Sequence, residues 1–131
     1  MNVTLNQAET IVKAAIAKAK KIGVAMNIAI VDEGANLKLF YRMDDAMLGC
    51  ADIAIKKAKT SRLFNNNSGA IGELSQPGGS LYGIEQSNGG LITFAGGVQL
   101  LDGTTIIGAI GISGGTVNQD LEVAIAGANA L

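Results

Sequence analysis

The chain has 131 residues, 48% of them hydrophobic and 16% charged, with a formal net charge of -1, no histidine and a single cysteine. A chain of that length is read as one domain, residues 1–131, able to bury roughly two thirds of its unfolded surface, and a mean hydropathy of +0.33 predicts surplus apolar surface covered between subunits. No uninterrupted apolar run can span a membrane, the N-terminus lacks a basic head followed by an apolar run, and one cysteine makes no intrachain disulfide, so a cytoplasmic location away from membranes is expected.

All ten Lys and Arg lie at or before Arg62, whereas five of the eleven acids follow it. Two readings compete: complementary halves packing within or between subunits, or a basic face for a polyanion. The lysines fall on helix faces without the aromatic or glycine pattern that accompanies base stacking. No nucleic-acid partner is expected.

Thr4-Leu5-Asn6-Gln7 has the form of a capping box, and Leu5, Ala8, Val12, Ala15, Ala19 and Ile22 follow at spacings of three and four. That predicts an amphipathic helix ended by Gly23 in the left-handed conformation. Met26 to Val31, the turn Asp32-Glu33-Gly34-Ala35 and the alternating Leu37 to Arg42 predict a β-hairpin. A second helix is expected from a cap at Asp44 or Asp45 through about Asn65, with Met47, Cys50, Ala54, Ala58 and Ser61 inward and Asp52, Lys56, Lys59 and Arg62 elsewhere.

Asn65 to Gly90 reads as a long loop carrying one or two helical turns, a length that often signals function. Leu91 to Ala95 is expected to begin a strand. Val98 to Leu101 and Thr104 to Ser113 then flank Asp102-Gly103, a two-residue turn signal. In the last strand neither face is polar, so both should be covered. Thr116-Val117-Asn118-Gln119 repeats the capping-box form and opens a helix to the C-terminus. The expected architecture is α/β (α+β): an antiparallel sheet of about five strands with helices on both faces.

The stretch Gly96 to Gly115 concentrates the candidate chemistry. Gly111-Ile112-Ser113-Gly114-Gly115 matches G-x-S-x-G between strand and helix, but no histidine exists to take the serine proton. The same residues read better as an anion site: Ser113, Gly114, Gly115 and Thr116 present backbone N–H groups at a helix start, against the alternative of an ordinary strand-to-helix cap. Gly96-Gly97 marks a bulge or a close approach to a ligand or another strand. Arg42 can clamp a carboxylate or pair with a nearby Asp, and Met26, Met43 and Met47 can line an apolar pocket or pack in the core. Asp32 and Asp120 are the weak candidates for catalysis, each also explained by a turn or a helix N-terminus. Cys50 reads as a small core residue. Without histidine, no metal site is expected.

Several pieces are specific together: Ile30-Val31-Asp32-Glu33-Gly34, Tyr41-Arg42-Met43-Asp44, Ala54-Ile55-Lys56-Lys57-Ala58-Lys59-Thr60, Gly96-Gly97-Val98-Gln99-Leu100 and Gly108-Ala109-Ile110-Gly111-Ile112-Ser113-Gly114-Gly115, followed by Asp120 and Ala124. In this order they resemble the GlcG/HbpS-like family over nearly the whole chain. The resemblance implies a profilin-like sandwich and a homo-oligomer built from dimers, a tetramer or an octamer. Members of that family occur as haem-binding proteins, as proteins coded beside glycolate-oxidation genes, and as the C-terminal domain of PduO-type cobalamin adenosyltransferases.

The resemblance therefore implies an accessory protein for a corrinoid or haem-like tetrapyrrole, or for a small carboxylate, linked to cobalamin-dependent diol or glycerol metabolism. The ligand-binding set expected from residues and resemblance together is Arg42, Met43, Gly96, Gly97, Ser113, Gly114, Gly115 and Thr116. Gln99 stands where relatives often carry proline, and a haem here would have to use Met, Tyr, Cys50, Lys, a hydroxyl or no axial ligand. Two other classes compete: an enzyme with Asp32 or Asp120 as base and Arg42 as substrate clamp, and a purely structural oligomerisation module.

Overall fold

The computed structural model describes all residues, 1–131. Helix α1 spans Leu5–Ile22 and closes its N-terminus as the sequence predicts: Thr4 Oγ1 accepts from the Gln7 amide and the Gln7 side chain accepts from the Thr4 amide. Gly23 ends it at φ 73°. Strands β1 (Asn27–Asp32) and β2 (Leu37–Arg42) form the first hairpin. Asp32 Oδ1 accepts from the Gly34 and Asn36 amides within the turn, and Ala35 takes the left-handed position.

Helix α2 spans Gly49–Phe64, starting later than expected. Asp44 and Asp45 do not cap it; Asp45 sits at φ 67° in a turn that precedes the helix, and Leu48 occupies the cap without a side-chain hydrogen bond. Met47 consequently falls outside the helix and is 59% exposed instead of facing inward. The long loop carries helix α3 (Ser68–Leu74) and one 3-10 turn, Ile84–Gln86, as its texture implies.

Strands β3 (Gly97–Asp102) and β4 (Thr105–Ser113) follow, then helix α4 (Val117–Ala128) behind a second reciprocal capping box at Thr116 and Gln119. Loss of the cap hydroxyl in Thr116→Ala is expected to cost about 1 kcal/mol, read as a lower urea midpoint with an unchanged denaturant slope. The turn between β3 and β4 is Gly103-Thr104, one residue later than the expected Asp102-Gly103, because Asp102 still pairs with Thr105.

The sheet has four strands in the order β2-β1-β4-β3, every pair antiparallel. The strand count is thus four, where about five were expected, because Leu91–Ala95 makes no ladder. Its polar groups go to side chains and to helix contacts instead: the Ile92 amide donates to Thr60 Oγ1, Ser68 Oγ donates to the Phe94 carbonyl, and the Thr93 carbonyl lies where a Cβ on Gly72 would sit. Helix α3 packs directly on this segment, Gly72 against the Thr93 carbonyl and Gly69 against Ala95.

Helices α1 and α4 cover one sheet face around Ile11, Val12, Ile28, Ile30, Ile110 and Ile112, all buried. Helix α2 covers the other through Ala54 and Ala58 against Ala29, Val31 and Ala109. The small residues on this second face bring α2 close to the strands. A bulge between Leu100 and Leu101 breaks the alternation of β4, so Ile107 joins Ile110 and Ile112 on the α1/α4 face.

Candidate functional site

The chemistry gathers at the end of the sheet where β3 begins and β4 finishes. Gly97 and Gly111 are register partners on neighbouring strands. A Cβ on Gly111 would land on the Ala54 carbonyl oxygen, and one on Gly97 would land on the Lys57 carbonyl oxygen, with Ser68 Oγ only 2.9 Å away. Two glycines side by side therefore let the α2 backbone lie directly on the sheet, which carries the Lys57 side chain into the interior beneath Gly96.

Lys57 is fully buried, and Asp120 in the first turn of α4 is 3% exposed. The Lys57 ammonium donates to Asp120 Oδ2 at 2.8 Å and to the Ile112 carbonyl at 2.9 Å. The Gly115 amide donates to Asp120 Oδ1 at 2.9 Å. Gly96 is part of this arrangement: its carbonyl accepts from the Ile112 amide, its φ is 130°, and a Cβ there would come within 2.7 Å of Lys57 Nζ. Burial lowers the Lys57 pKa and raises that of Asp120, because each charge has left water; their mutual hydrogen bond and the Gly114 and Gly115 amides act in the opposite direction without cancelling the shift.

The candidate residues are thus divided. Gly96, Gly97, Gly115 and Asp120 surround Lys57. Ser113 is buried, its carbonyl accepting from Asn27 Nδ2 at 3.4 Å, and Gly114 is pressed against the Ala25 carbonyl. Thr116 and Gln119 satisfy each other's amides. The N–H groups expected to face an external anion at this turn are engaged by the chain itself: the Gly115 amide holds the Asp120 carboxylate.

Arg42 and Met43 lie apart from that cluster. Arg42 pairs with Asn27, which pairs with Ser113, so two strand spacings, about 10 Å, separate Arg42 from the α4 turn. Its side chain is exposed and joins none of the chain's ion pairs. Met43 is half-buried, its sulfur accepting from the Met26 amide. Asp32 is at the opposite end of β1, paired with Gly108.

The sequence reading passed over Lys57 and Phe94. Lys57 sits three residues after Ala54 and four before Ser61, on the inward stripe of α2, and that spacing was the available signal. Phe94 is 44% exposed, and its ring centre is 4.9 Å from Lys57 Nζ. It has no local sequence signal, because its position depends on α3.

Phe94 borders a groove of about 540 Å³ whose apolar walls are Gly69, Gly72, Ala95, Val117 and Leu121, with Asn67, Glu73, Gln76 and Thr93 supplying polar atoms. That volume is in the usual range for small-ligand sites. Val117 and Leu121 bracket Asp120 on α4, so the buried ion pair lies behind the groove's apolar wall. A second groove of about 510 Å³ runs between the β3 edge and the C-terminus, lined by Val98, Gln99, Leu101, Ala128 and Leu131 together with Asn67 and Asn129. No helix is long and apolar enough to cross a membrane.

The side chains that hold haem iron axially are His, Cys, Met and Tyr, and none of them lines the first groove. The groove's residues therefore do not fit axial ligation of a haem iron.

Comparison with known proteins agrees with this architecture. The chain is 40% identical over 119 residues to a 15.0 kDa protein from the dhaT-dhaS intergenic region of Citrobacter freundii, covering 90% of this chain and 84% of that one. It is 34% identical over 125 residues to the corrinoid adenosyltransferase PduO of the same organism, covering 95% of this chain but 37% of PduO. The crystal structure of a PduOC:heme complex superposes with a TM-score of 0.95 at 32% identity, covering 100% of this chain and 96% of that one. Residues 3–129 match the family described as haem degrading protein HbpS-like. The chain belongs to the haem degrading protein HbpS-like family.

Proposed function

We propose that this protein is a cytoplasmic, oligomeric accessory protein that binds a tetrapyrrole, haem or a corrinoid, in the groove between α3, Phe94 and the start of α4, in support of cobalamin-dependent metabolism. The observation that carries the reading is an apolar groove of about 540 Å³ with polar atoms at Asn67, Glu73, Gln76 and Thr93, in a chain whose fold matches that of a haem complex. Val117, Leu121 and Phe94 would hold the macrocycle by its apolar face, and no side chain of the groove would ligate its metal. A small carboxylate is the weaker ligand, since the α4 turn amide that would receive it already holds Asp120. The exposed apolar side chains Met47, Leu48 and Ile125 support burial of further surface between subunits.

Spectral titration with haem and with hydroxocobalamin tests the reading. Saturable binding of at least one is expected. Val117→Glu, at a 42% exposed position, is expected to weaken it by about tenfold by placing a charge against the macrocycle face, with little change in thermal stability. No saturable change with either compound would sink the proposal.

A further inference from the structure

Behind the groove wall lies a group that tetrapyrrole binding does not use. The Lys57 ammonium has three N–H donors, and two are taken by Asp120 and the Ile112 carbonyl. The third has no oxygen partner; the ammonium instead faces the Phe94 ring at 4.9 Å. Phe94 is itself a groove residue, nearly half exposed, in a segment outside both helix and strand. Its backbone is tied at the carbonyl by Ser68, and its ring borders both the groove and the ammonium.

The charge balance selects the kind of molecule that can enter. Lys57 and Asp120 together are neutral, so a ligand with its own charge would bring an uncompensated charge into the interior. A small neutral compound with one acceptor oxygen adds none, and a carbonyl oxygen can take the third N–H. Lysine amines desolvated by burial are also the groups that condense with carbonyls.

We infer that Lys57 is a carbonyl-reactive amine gated by Phe94, forming an imine with a small aldehyde or ketone that enters through the groove. In the first step the ammonium passes a proton to Asp120, 2.8 Å away. The freed amine then attacks the carbonyl carbon: the C–N bond forms, the C=O π bond breaks, and proton transfer gives a neutral carbinolamine. Asp120 returns its proton to the carbinolamine hydroxyl, water leaves, and the protonated imine remains paired with the Asp120 carboxylate. One water is released, and the net charge is unchanged. Burial favours this sequence, since it lowers the Lys57 pKa and raises that of Asp120. The inference goes beyond tetrapyrrole binding and does not require it.

The test treats the intact protein with benzaldehyde and cyanoborohydride at neutral pH, then maps the benzylated lysines by peptide mass spectrometry. Although Lys57 is fully buried and Lys20 exposed, early labelling at Lys57 is expected to exceed that at Lys20 by about fivefold or more. Phe94→Ala is expected to raise the Lys57 rate several-fold while leaving Lys20 unchanged. If Lys20 and Lys38 are labelled while Lys57 stays unmodified in both proteins, the inference is overturned, and a haem titration of the untreated parent protein reports on the tetrapyrrole reading independently.

Discussion

Gly111→Ala is expected to destabilise the protein by about 3 kcal/mol or more, the upper end for overpacking, because the added methyl would occupy the Ala54 carbonyl oxygen's position and come within 2.7 Å of the Ala58 amide nitrogen. These are backbone atoms of α2, so no side-chain rotamer can relieve the contact, and the helix would have to lift from β4. Urea unfolding measures the effect. Gly49→Ala is the matched control: nothing lies within 4 Å of its added Cβ at the start of α2, so a gain of about 0.5 kcal/mol is expected from reduced chain entropy. Similar losses for both variants would contradict the close approach of α2 to the sheet.

Removing one member of the buried ion pair should be at least as damaging. Lys57→Met leaves the Asp120 carboxyl in the interior with only the Gly115 amide, at a cost of about 3 to 5 kcal/mol. The double variant Lys57→Met/Asp120→Leu restores neutrality and apolar packing, so it should recover most of that loss. Additive single effects would show that the pair does not act as a unit.

The double variant should also change the pH profile. Asp120 has a folded pKa above 3.8, so the folded state holds more protons just above that value, and stability falls as pH rises through the folded pKa. Lys57 has a folded pKa below 10.5, so the unfolded state holds more protons there, and stability rises as pH climbs from the folded pKa towards 10.5. The pair therefore depresses stability between its two folded pKa values. Thermal unfolding across pH should show this dip in the parent protein and a flatter curve in the double variant.

The anion site read at Ser113 to Thr116 and the catalytic candidate Asp120 are halves of one arrangement. Strand-to-helix glycines do present amides to a carboxylate, and the carboxylate is the chain's own. The spacing between Gly115 and Asp120 is short enough to be visible along the chain. Lys57 had only its spacing on the α2 stripe to mark it, a signal masked by Lys56 and Lys59, which have the same charge and lie off the stripe.

By itself the sequence determined the features that depend on a few consecutive residues: both capping boxes, the Gly23 stop, the first hairpin with Asp32 in its turn, and the inward positions Ala8, Val12, Ala15 and Ala19 of α1. The family pattern was equally legible, because it repeats those local signals in order. Tertiary structure decided the rest. Leu91–Ala95 has strand composition but loses its ladder to α3, whose Gly72 packs on the Thr93 carbonyl. Gly97 and Gly111 are 14 positions apart in the chain and become one surface only through strand register. On that surface α2 approaches closely enough to bury a lysine, and burial is possible because Asp120 arrives from the far end of the chain to meet it. A charge enters an interior only with a partner, and the partner's position is set by the fold.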